Sequence, residues 1–555
     1  MRVLLVAWLV VLVVGVTPKN GADGAISKRV MHEISSINMK GPYLGLVVPN
    51  SYEMDPVLQS PSFVVNKSLP LLDVSGVTTQ LLVSLFNVKG VLHFGIAGNA
   101  NPELEIGDVT IPQVWSIICA TKQVTRVTNG ISSNAYVDNA AYRKFLYSKF
   151  NATPVDMESA AVALVCLQQK KPFIAFRALS DLAGGGSAVS NEADVFGSLA
   201  AQNAADQRSR MRVALLGWLI VLVVGVTLKD GADGAISERV MHEISGINME
   251  GPYLGLVVPN SFELNPLLQS PSFVVNESLP FLDVSGRRFR IGTLESEKVI
   301  IVMTGLSMLN AGITTQLLLS LFNVKGVLHF GIAGNANPEL QIGDVTIPQY
   351  WAHTGLWNWQ RYGEGPNDEL ALESNGDYTR KIGYLRFSQY NNDTENRKPS
   401  DNLLNSVWYQ PEEIFPVDGQ PEIRQHAFLV PVTKQYFSLA EKLEGMELER
   451  CVNSTCLPRK PKVIRVKNGI SSNAFVDNGA YREFLYSKFS ATPIDMESAA
   501  VALVCLQQKT PFIAFRALSD LAGGGSAVSN EADIFGSLAA QNAVDVLLRF
   551  IALLH

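Results

Sequence analysis

Residues 326–334 read Gly-Val-Leu-His-Phe-Gly-Ile-Ala-Gly, and residues 512–520 read Phe-Ile-Ala-Phe-Arg-Ala-Leu-Ser-Asp. Both runs are apolar nearly throughout, not on alternate residues, which is the pattern of a strand buried on both faces. Gly326–Phe330 and Phe512–Ala517 are therefore expected to be strands, with 331–334 a tight turn after the first. Working outward, Tyr253–Val258 is a third such run, and 287–293, 299–303 and 463–466 are also strand-like. Helical stretches lie between them at 313–322, 478–488, 498–507 and 534–554, after an amphipathic helix in ISERVMHEISGIN. Apolar strands alternating with helices predict an α/β fold whose sheet is covered on both faces. Residues 351–462 carry aromatics, Pro and Asn without a clean period and read as a long insertion with some local structure.

Much of this sequence occurs twice. Met1-Arg2-Val3 with its apolar tail recurs at Met211-Arg212-Val213, and 33 of 39 positions are identical between 128–166 and 467–505. A repeat this long is a whole domain, not a solenoid unit. The first repeat lacks the 26 residues that match 287–312, and a further 103 from the region between Trp351 and Val463. The expected organisation is a leader at 1–25, a truncated repeat at 26–207, a leader-like apolar segment at 211–231, and a complete repeat at 232–555 with its insertion at about 352–462. Two adjacent genes read as one would produce this arrangement. A genuine two-domain chain with an internal apolar helix is the other account.

Arg2, the apolar Val3–Val16 and small residues near Gly21–Ala25 have the order of a secretory signal. The expected location is the secretory pathway, ending in the vacuole or outside the cell. The apolar run falls short of the ~20 residues that a membrane span needs, and anchoring by 211–231 is the weaker alternative. In an oxidising compartment, Cys451 and Cys456 of CVNSTC suit a small-loop disulfide, whereas Cys166 and Cys505 lie in apolar helices and read as buried thiols. Asn276, Asn392 and Asn453 begin glycan-acceptor triplets, as does Asn66 in the first repeat. The net charge of −6 over 555 residues comes with no basic stripe, so nucleic acid is not an expected partner.

The residues that could carry chemistry are individually weak signals. Asp520 ends a strand beside the Gly523-Gly524-Gly525 run, where open α/β sheets bind ligands. A lone Asp after a strand more often caps a helix. Glu497 precedes an apolar helix, where the helix dipole favours a carboxylate in any case. Glu263, five residues past the first strand, would alone be an ordinary surface residue.

Taken in order, Glu263, Thr304-Gly305, Gly331-Ile332-Ala333-Gly334, Gly343-Asp344, Phe475, Met496-Glu497 and Ser519-Asp520 resemble the purine nucleoside phosphorylase/uridine phosphorylase superfamily. The resemblance is closest to its nucleosidase branch and, through the leader and the insertion, to plant bark and vegetative storage proteins. It implies a phosphorylase/nucleosidase-like central mixed sheet flanked by helices, present once complete and once truncated. It implies that Phe475 stacks on a purine, the Val476 backbone reads the base edge, Met496 packs beneath the ribose and Glu497 accepts from ribose hydroxyls. Asp520, held by Ser519, would protonate the base, and Glu263 would orient or deprotonate water. Thr304, Gly305, Ala333 and Gly334 would line the site. No metal or cofactor is implied; the partner is a nucleoside or purine base, with a homo-oligomer by analogy.

Three departures bear on the reaction. Thr304-Gly305-Leu306-Ser307 lacks a second glycine, Asn335 and Asn337 stand where small residues are expected, and no Arg follows the first strand or adjoins Thr304. A phosphate nucleophile needs cationic partners, so water is the expected nucleophile. The function expected is N-glycosidic cleavage of purine nucleosides; the alternatives are a storage protein that keeps the fold without turnover, and a base-binding module.

Overall fold

The computed structural model describes residues 9–11, 28–60, 78–112, 124–184, 192–210, 236–359, 382–386, 406–414, 425–525 and 531–555. The apolar segment 211–231, Asn66, Cys119, Asn392 and the leader apart from Leu9–Val11 lie outside them.

The second repeat is a mixed α/β unit built on an eleven-stranded sheet. Tyr253–Val258 runs parallel to both Glu297–Met303 and Val324–Asn335, and Val324–Asn335 runs parallel to Phe512–Leu521. Beyond this the sheet curls shut. Phe512–Leu521 pairs with Val345–His353, which pairs with Val463–Ser471, which pairs with Ala491–Asp495. Ala491–Asp495 returns to Val324–Asn335 at Gly334↔Ile494. Five strands thus close a circuit, and closure removes their edges. On one face lies the Met308–Leu321 helix, buried over nearly its whole length, with Ser498–Gln507; on the other lies the closing helix Glu531–Ala552. The closing helix is long and apolar enough to cross a membrane, but two thirds of that apolar stretch is buried inside the protein, so core packing accounts for its composition.

Several elements run past their expected limits. The Gly331–Gly334 stretch is not a turn: the strand continues through it to Asn335. Its glycines let the strand bend from one neighbour, Tyr253–Val258, to another, Ala491–Asp495, and Gly331 takes φ 154°. The first long helix starts at Met308, five residues early, and the last at Glu531. Part of the expected insertion belongs to the core. Leu429–Pro431 adds to Val345–His353, and Tyr436 packs edge-on against Phe550. Trp357–Trp359, Tyr384–Arg386 and Ser406–Tyr409 form a small four-stranded sheet with Ala135–Val137 of the first repeat.

The first repeat forms a second, eight-stranded sheet with the same core pairings, Tyr43–Val47 with Val88–Asn99 and Val88–Asn99 with Phe173–Leu182. It lacks the counterpart of Glu297–Met303. In that place lies Leu9–Val11, whose Leu9↔Leu44 register matches Val299↔Leu254 in the complete repeat.

The repeats share one core. Leu81, Leu82, Phe86, Val162 and Val165 of the first belong to the same apolar cluster as Val284, Phe289, Ala311 and Val501 of the second. Ser84 and Ser285 hydroxyls lie 2.8 Å apart, and Gln169 Nε2 donates to Ser285 O at 2.8 Å. The truncated repeat thus covers apolar surface with its neighbour that its own missing strands would have covered. Residues 26–207 expressed alone are expected to aggregate or to melt without cooperativity, by circular dichroism and gel filtration; a monodisperse, cooperatively melting product would overturn this. In the full chain, Leu318→Ala, at a side chain packed against Gly255, is expected to cost about 2–5 kcal/mol by denaturant unfolding.

Candidate functional site

The site gathers where Tyr253–Val258, Val324–Asn335 and Phe512–Leu521 run side by side toward their carboxyl ends, the usual place for a ligand in such a sheet. Glu263 sits in the first turn of the helix Ser261–Gln269 that follows the first of these strands. Asn260 caps that turn, accepting from Phe262 N at 2.9 Å and Glu263 N at 3.2 Å. The cap turns the Glu263 side chain inward, and the residue is 2 % exposed.

Glu263 Oε1 accepts from Ile332 N at 2.8 Å and lies 3.6 Å from Arg516 Nη1, while Oε2 is buried without a hydrogen-bond partner. Arg516 is fully buried. Its Nε donates to Asp495 Oδ2 at 2.8 Å, and its Nη2 meets His329 Nε2. His329 Nδ1 donates to Val257 O at 2.8 Å, so its Nε2 is left to accept from the guanidinium. Burial and that cation push His329 well below its ordinary pKa, so it stays neutral. Asp495 also accepts from the Ser471 hydroxyl at 2.5 Å and from Ser498 Oγ. Gly331 makes the contact possible: a Cβ there would lie 2.2 Å from Glu263 Oε1 and 2.4 Å from Arg516 Nη1.

One buried cation thus serves three buried carboxylates. Asp495 takes the shortest ion pair. Glu497, 4 % exposed, accepts from Ser307 N at 2.9 Å and is held above the usual carboxylate range by burial and by Asp495. Burial raises Glu263 to about 7, against the pull of Arg516 and the Ile332 N–H. Both shifts follow from a low-dielectric setting with too little positive charge to compensate.

Asp520 stands apart from this cluster. The Ser519 hydroxyl donates to its Oδ1 at 2.5 Å and reaches Ala333 O at 3.3 Å. Burial raises its pKa, Asp477 adds to the rise, and the Ser519 hydrogen bond opposes it. Asp520 faces Gly334 in register, and a Cβ on Gly334 would approach Ala522 Cβ to 3.0 Å.

The remaining expected residues divide. Thr304 is buried, with its hydroxyl on Gly305 O at 2.7 Å, and Gly305 takes φ 86°. The absent second glycine falls at Ser307, which takes φ 95° and presents its N–H to Glu497. Ser307 holds this left-handed conformation at a strain cost of about 1–3 kcal/mol for a non-glycine residue. Ala333 and Val476 are buried and Met496 is half-buried. Phe475 is not drawn in: it is 75 % exposed. Its counterpart Tyr136 is half-buried, because Ala135–Val137 pairs with Trp357–Trp359 of the second repeat. The first repeat has no counterpart of 357–359 to do the same for Phe475.

Cys451 and Cys456 are joined by a disulfide across a short hairpin, with the exposed Asn453 at its turn. Asn276 accepts from Ser278 N and Leu279 N in a loop. Cys166 and Cys505 are buried free thiols.

Asp495, Arg516, His329 and Ser307 were not among the expected site residues. The signal for Arg516 was in the sequence: a cation inside an otherwise apolar buried strand requires a partner.

This chain belongs to the phosphorylase superfamily, whose family model matches residues 118–211 and 253–552. It is 34 % identical over 300 residues to bark storage protein A of Populus deltoides, covering 54 % of this chain and 88 % of that protein. It is 25 % identical over 273 residues to a 5'-methylthioadenosine/S-adenosylhomocysteine nucleosidase of Geobacillus kaustophilus, covering 49 % and 86 %. Among solved structures, futalosine hydrolase of Helicobacter pylori matches with a TM-score of 0.37 at 18 % identity, over 55 % of this chain and 98 % of that one.

The Glu263 shift has a measurable sign. Between its ordinary pKa and about 7, the native state holds a proton that the unfolded chain has released, so stability falls as pH rises through that window. A shift of this size corresponds to about 3 kcal/mol at full ionisation. Glu263→Gln removes the contribution. Denaturant unfolding at pH 5 and pH 8 should show a smaller loss in the variant than in wild type; equal losses would contradict the assignment.

Proposed function

We propose that the second repeat cleaves the N-glycosidic bond of purine nucleosides with water as nucleophile. The observation that carries this is the pairing of two unlike carboxyl groups at one end of the sheet. Glu263 is buried beside Arg516 with one oxygen unpartnered, and Asp520 is held protonatable by burial and oriented by Ser519. Departure of the base leaves cationic character on the sugar, so the reaction calls for an acid toward the base and a carboxylate toward the sugar and water. Asp520 supplies the first, with Ser519 fixing the oxygen it presents. Glu263 supplies the second, with Oε2, its oxygen without a hydrogen-bond partner, as the acceptor for water. Glu497, fixed by the Ser307 N–H, is suited to accept from ribose hydroxyls. Water is favoured over phosphate because Arg516, the cation of the cluster, is fully buried and already bound to Asp495.

The second reading is nutrient storage. The exposure of Phe475 favours it, since a base would lack one stacking wall, and so does the likeness to bark storage protein A. The leader-like N-terminus fits either reading.

Turnover separates them. With the full chain and adenine nucleosides, the expected products are free base and free sugar at a rate that added phosphate does not raise. Asp520→Asn should lower kcat by about 10²–10⁴-fold, the range of general acid catalysis, while leaving base affinity nearly unchanged. Glu497→Gln should act mainly on KM. Phosphate-dependent release of a sugar 1-phosphate would place the reaction among phosphorolytic ones. No turnover in a well-folded protein would favour storage.

A further inference from the structure

The first repeat leaves open a surface that the second repeat covers. In the second, Ile534, Phe535 and Leu538 of the closing helix, with Ile342, share an apolar cluster with Val452 and Leu457. Val452 and Leu457 belong to the strap 449–462, which the Cys451–Cys456 disulfide folds into a hairpin. Polar contacts seat the strap at both ends. Glu449 N donates to Asn542 Oδ1, and Asn542 Nδ2 donates to Glu449 O, each at 3.1 Å. At the other end Arg459 Nη1 donates to Asp344 Oδ1 at 2.8 Å, Arg459 Nη2 reaches Asp344 Oδ2, and Lys462 N donates to Asp344 Oδ1 at 2.9 Å. Gln341 Nε2 donates to Arg459 O at 2.8 Å. The strap lies so close that a Cβ on Gly343 would meet Leu457 Cδ1 at 2.7 Å.

The matching residues of the first repeat are Val195, Phe196 and Leu199 of the helix Glu192–Arg210, with Ile106, Asn203 and Asp108; only Val195 differs in type. The strap falls in the region from which the first repeat lacks 103 residues. Val195 and Leu199 are accordingly 54 % and 53 % exposed, where Leu538 is 5 % exposed. Among the described residues, a Cβ on Gly107 would meet only Asn203 Nδ2, at 3.6 Å. Asn203 Nδ2 donates to Gly107 O at 3.0 Å, as Asn542 does to Gly343 O at 3.1 Å, but no described backbone group takes the part of Glu449. Asp108 is half-buried and accepts from Glu105 N at 3.0 Å, with no ion pair among the described residues. Glu105, exposed, stands where the second repeat has Gln341, so this edge carries one more negative charge.

We propose that this face of the first repeat docks an extended segment of a partner protein that carries an apolar residue two positions ahead of an arginine. That is the chemistry of Leu457-Pro458-Arg459. The second repeat supplies the reason for the choice, because on matching residues it shows what completes the surface. An apolar side chain joins the cluster of Leu538, a peptide group pairs with Asn542, and a guanidinium takes Asp344. In the first repeat, Leu199, Asn203 and Asp108 offer the same three contacts, and the added charge of Glu105 favours a basic partner. Covering Val195 and Leu199 removes apolar area from water, which supplies the drive. A second copy of the chain is a poor occupant, since its own strap would have to leave an equal surface bare.

Titration of the full chain with a synthetic peptide of residues 448–461, its disulfide closed, tests this by fluorescence anisotropy. One peptide per chain is expected, bound more weakly as salt rises. Arg459→Ala or Leu457→Ala in the peptide should each weaken binding about tenfold or more. In the chain, Leu199→Asp should abolish binding, and Asp108→Asn should weaken it about tenfold. Leu199 is half-exposed, so the fold should tolerate the change, as circular dichroism will show. Asp108→Asn keeps an acceptor for Glu105 N and reads the surface separately if Leu199→Asp misfolds. Absence of binding overturns the proposal, as does binding that neither chain variant alters. So does binding that appears only after 113–123 is replaced by a Gly-Ser linker, which would give the surface to the chain's own segment. A dimer of the chain that Leu199→Asp dissolves would give it to a second copy, and overturns the proposal too.

Discussion

Arg516 lies in the middle of a strand with no exposure to water, and the arrangement around it follows from that burial. A guanidinium removed from solvent must be paired and hydrogen-bonded or the fold does not form. Asp495 provides the pairing from Ala491–Asp495, His329 an acceptor from Val324–Asn335, and Glu263 a second carboxylate from the helix after Tyr253–Val258. These are the elements whose strands meet where the sheet closes. The cluster holds the closure together from inside, and Gly331 is the point where no side chain fits between its members.

The same excess of carboxylate over cation gives the site its chemistry. Asp495 is satisfied by Arg516 and two serine hydroxyls. Glu263 and Glu497 share what remains and are held above the ordinary carboxylate range. A group raised to about 7 ionises within the range where general bases are most effective. Asp520 reaches its raised pKa by a different route, burial with a like-charged neighbour, and without Arg516 among the causes. Two independent environments thus raise the two carboxyl groups.

What the sequence disclosed follows the physics of each signal. Buried parallel strands announce themselves as apolar runs, so Tyr253–Val258 and Phe512–Ala517 were legible, as was the Ser519–Asp520 end. The Gly331–Gly334 stretch was not, because glycines that bend a continuing strand and glycines that end one look alike in composition. The exposure of Phe475 was hidden for a longer-range reason. It depends on whether Trp357–Trp359 has a counterpart in the other repeat, a pairing between segments more than two hundred residues apart. The loss of a glycine at Ser307 was visible, but its result was not: the backbone keeps φ 95° and the N–H still reaches Glu497.

Retention of charged residues does not by itself separate catalysis from storage. Removing one member of a buried ion cluster leaves the others uncompensated and costs about 3–5 kcal/mol. Arg516 and Asp495 are therefore locked in by stability, and Arg177 and Asp156 likewise in the first repeat, whatever either repeat does. Asp520 is under no such lock. Its bonds are to Ser519 and its carboxyl pairs with no cation among the described residues. An asparagine or alanine there would disturb little packing. Both repeats carry Ser-Asp at this position with the same short hydroxyl contact because 173–182 and 512–521 are identical in sequence, so only a substitution at Asp520 itself reads function apart from stability.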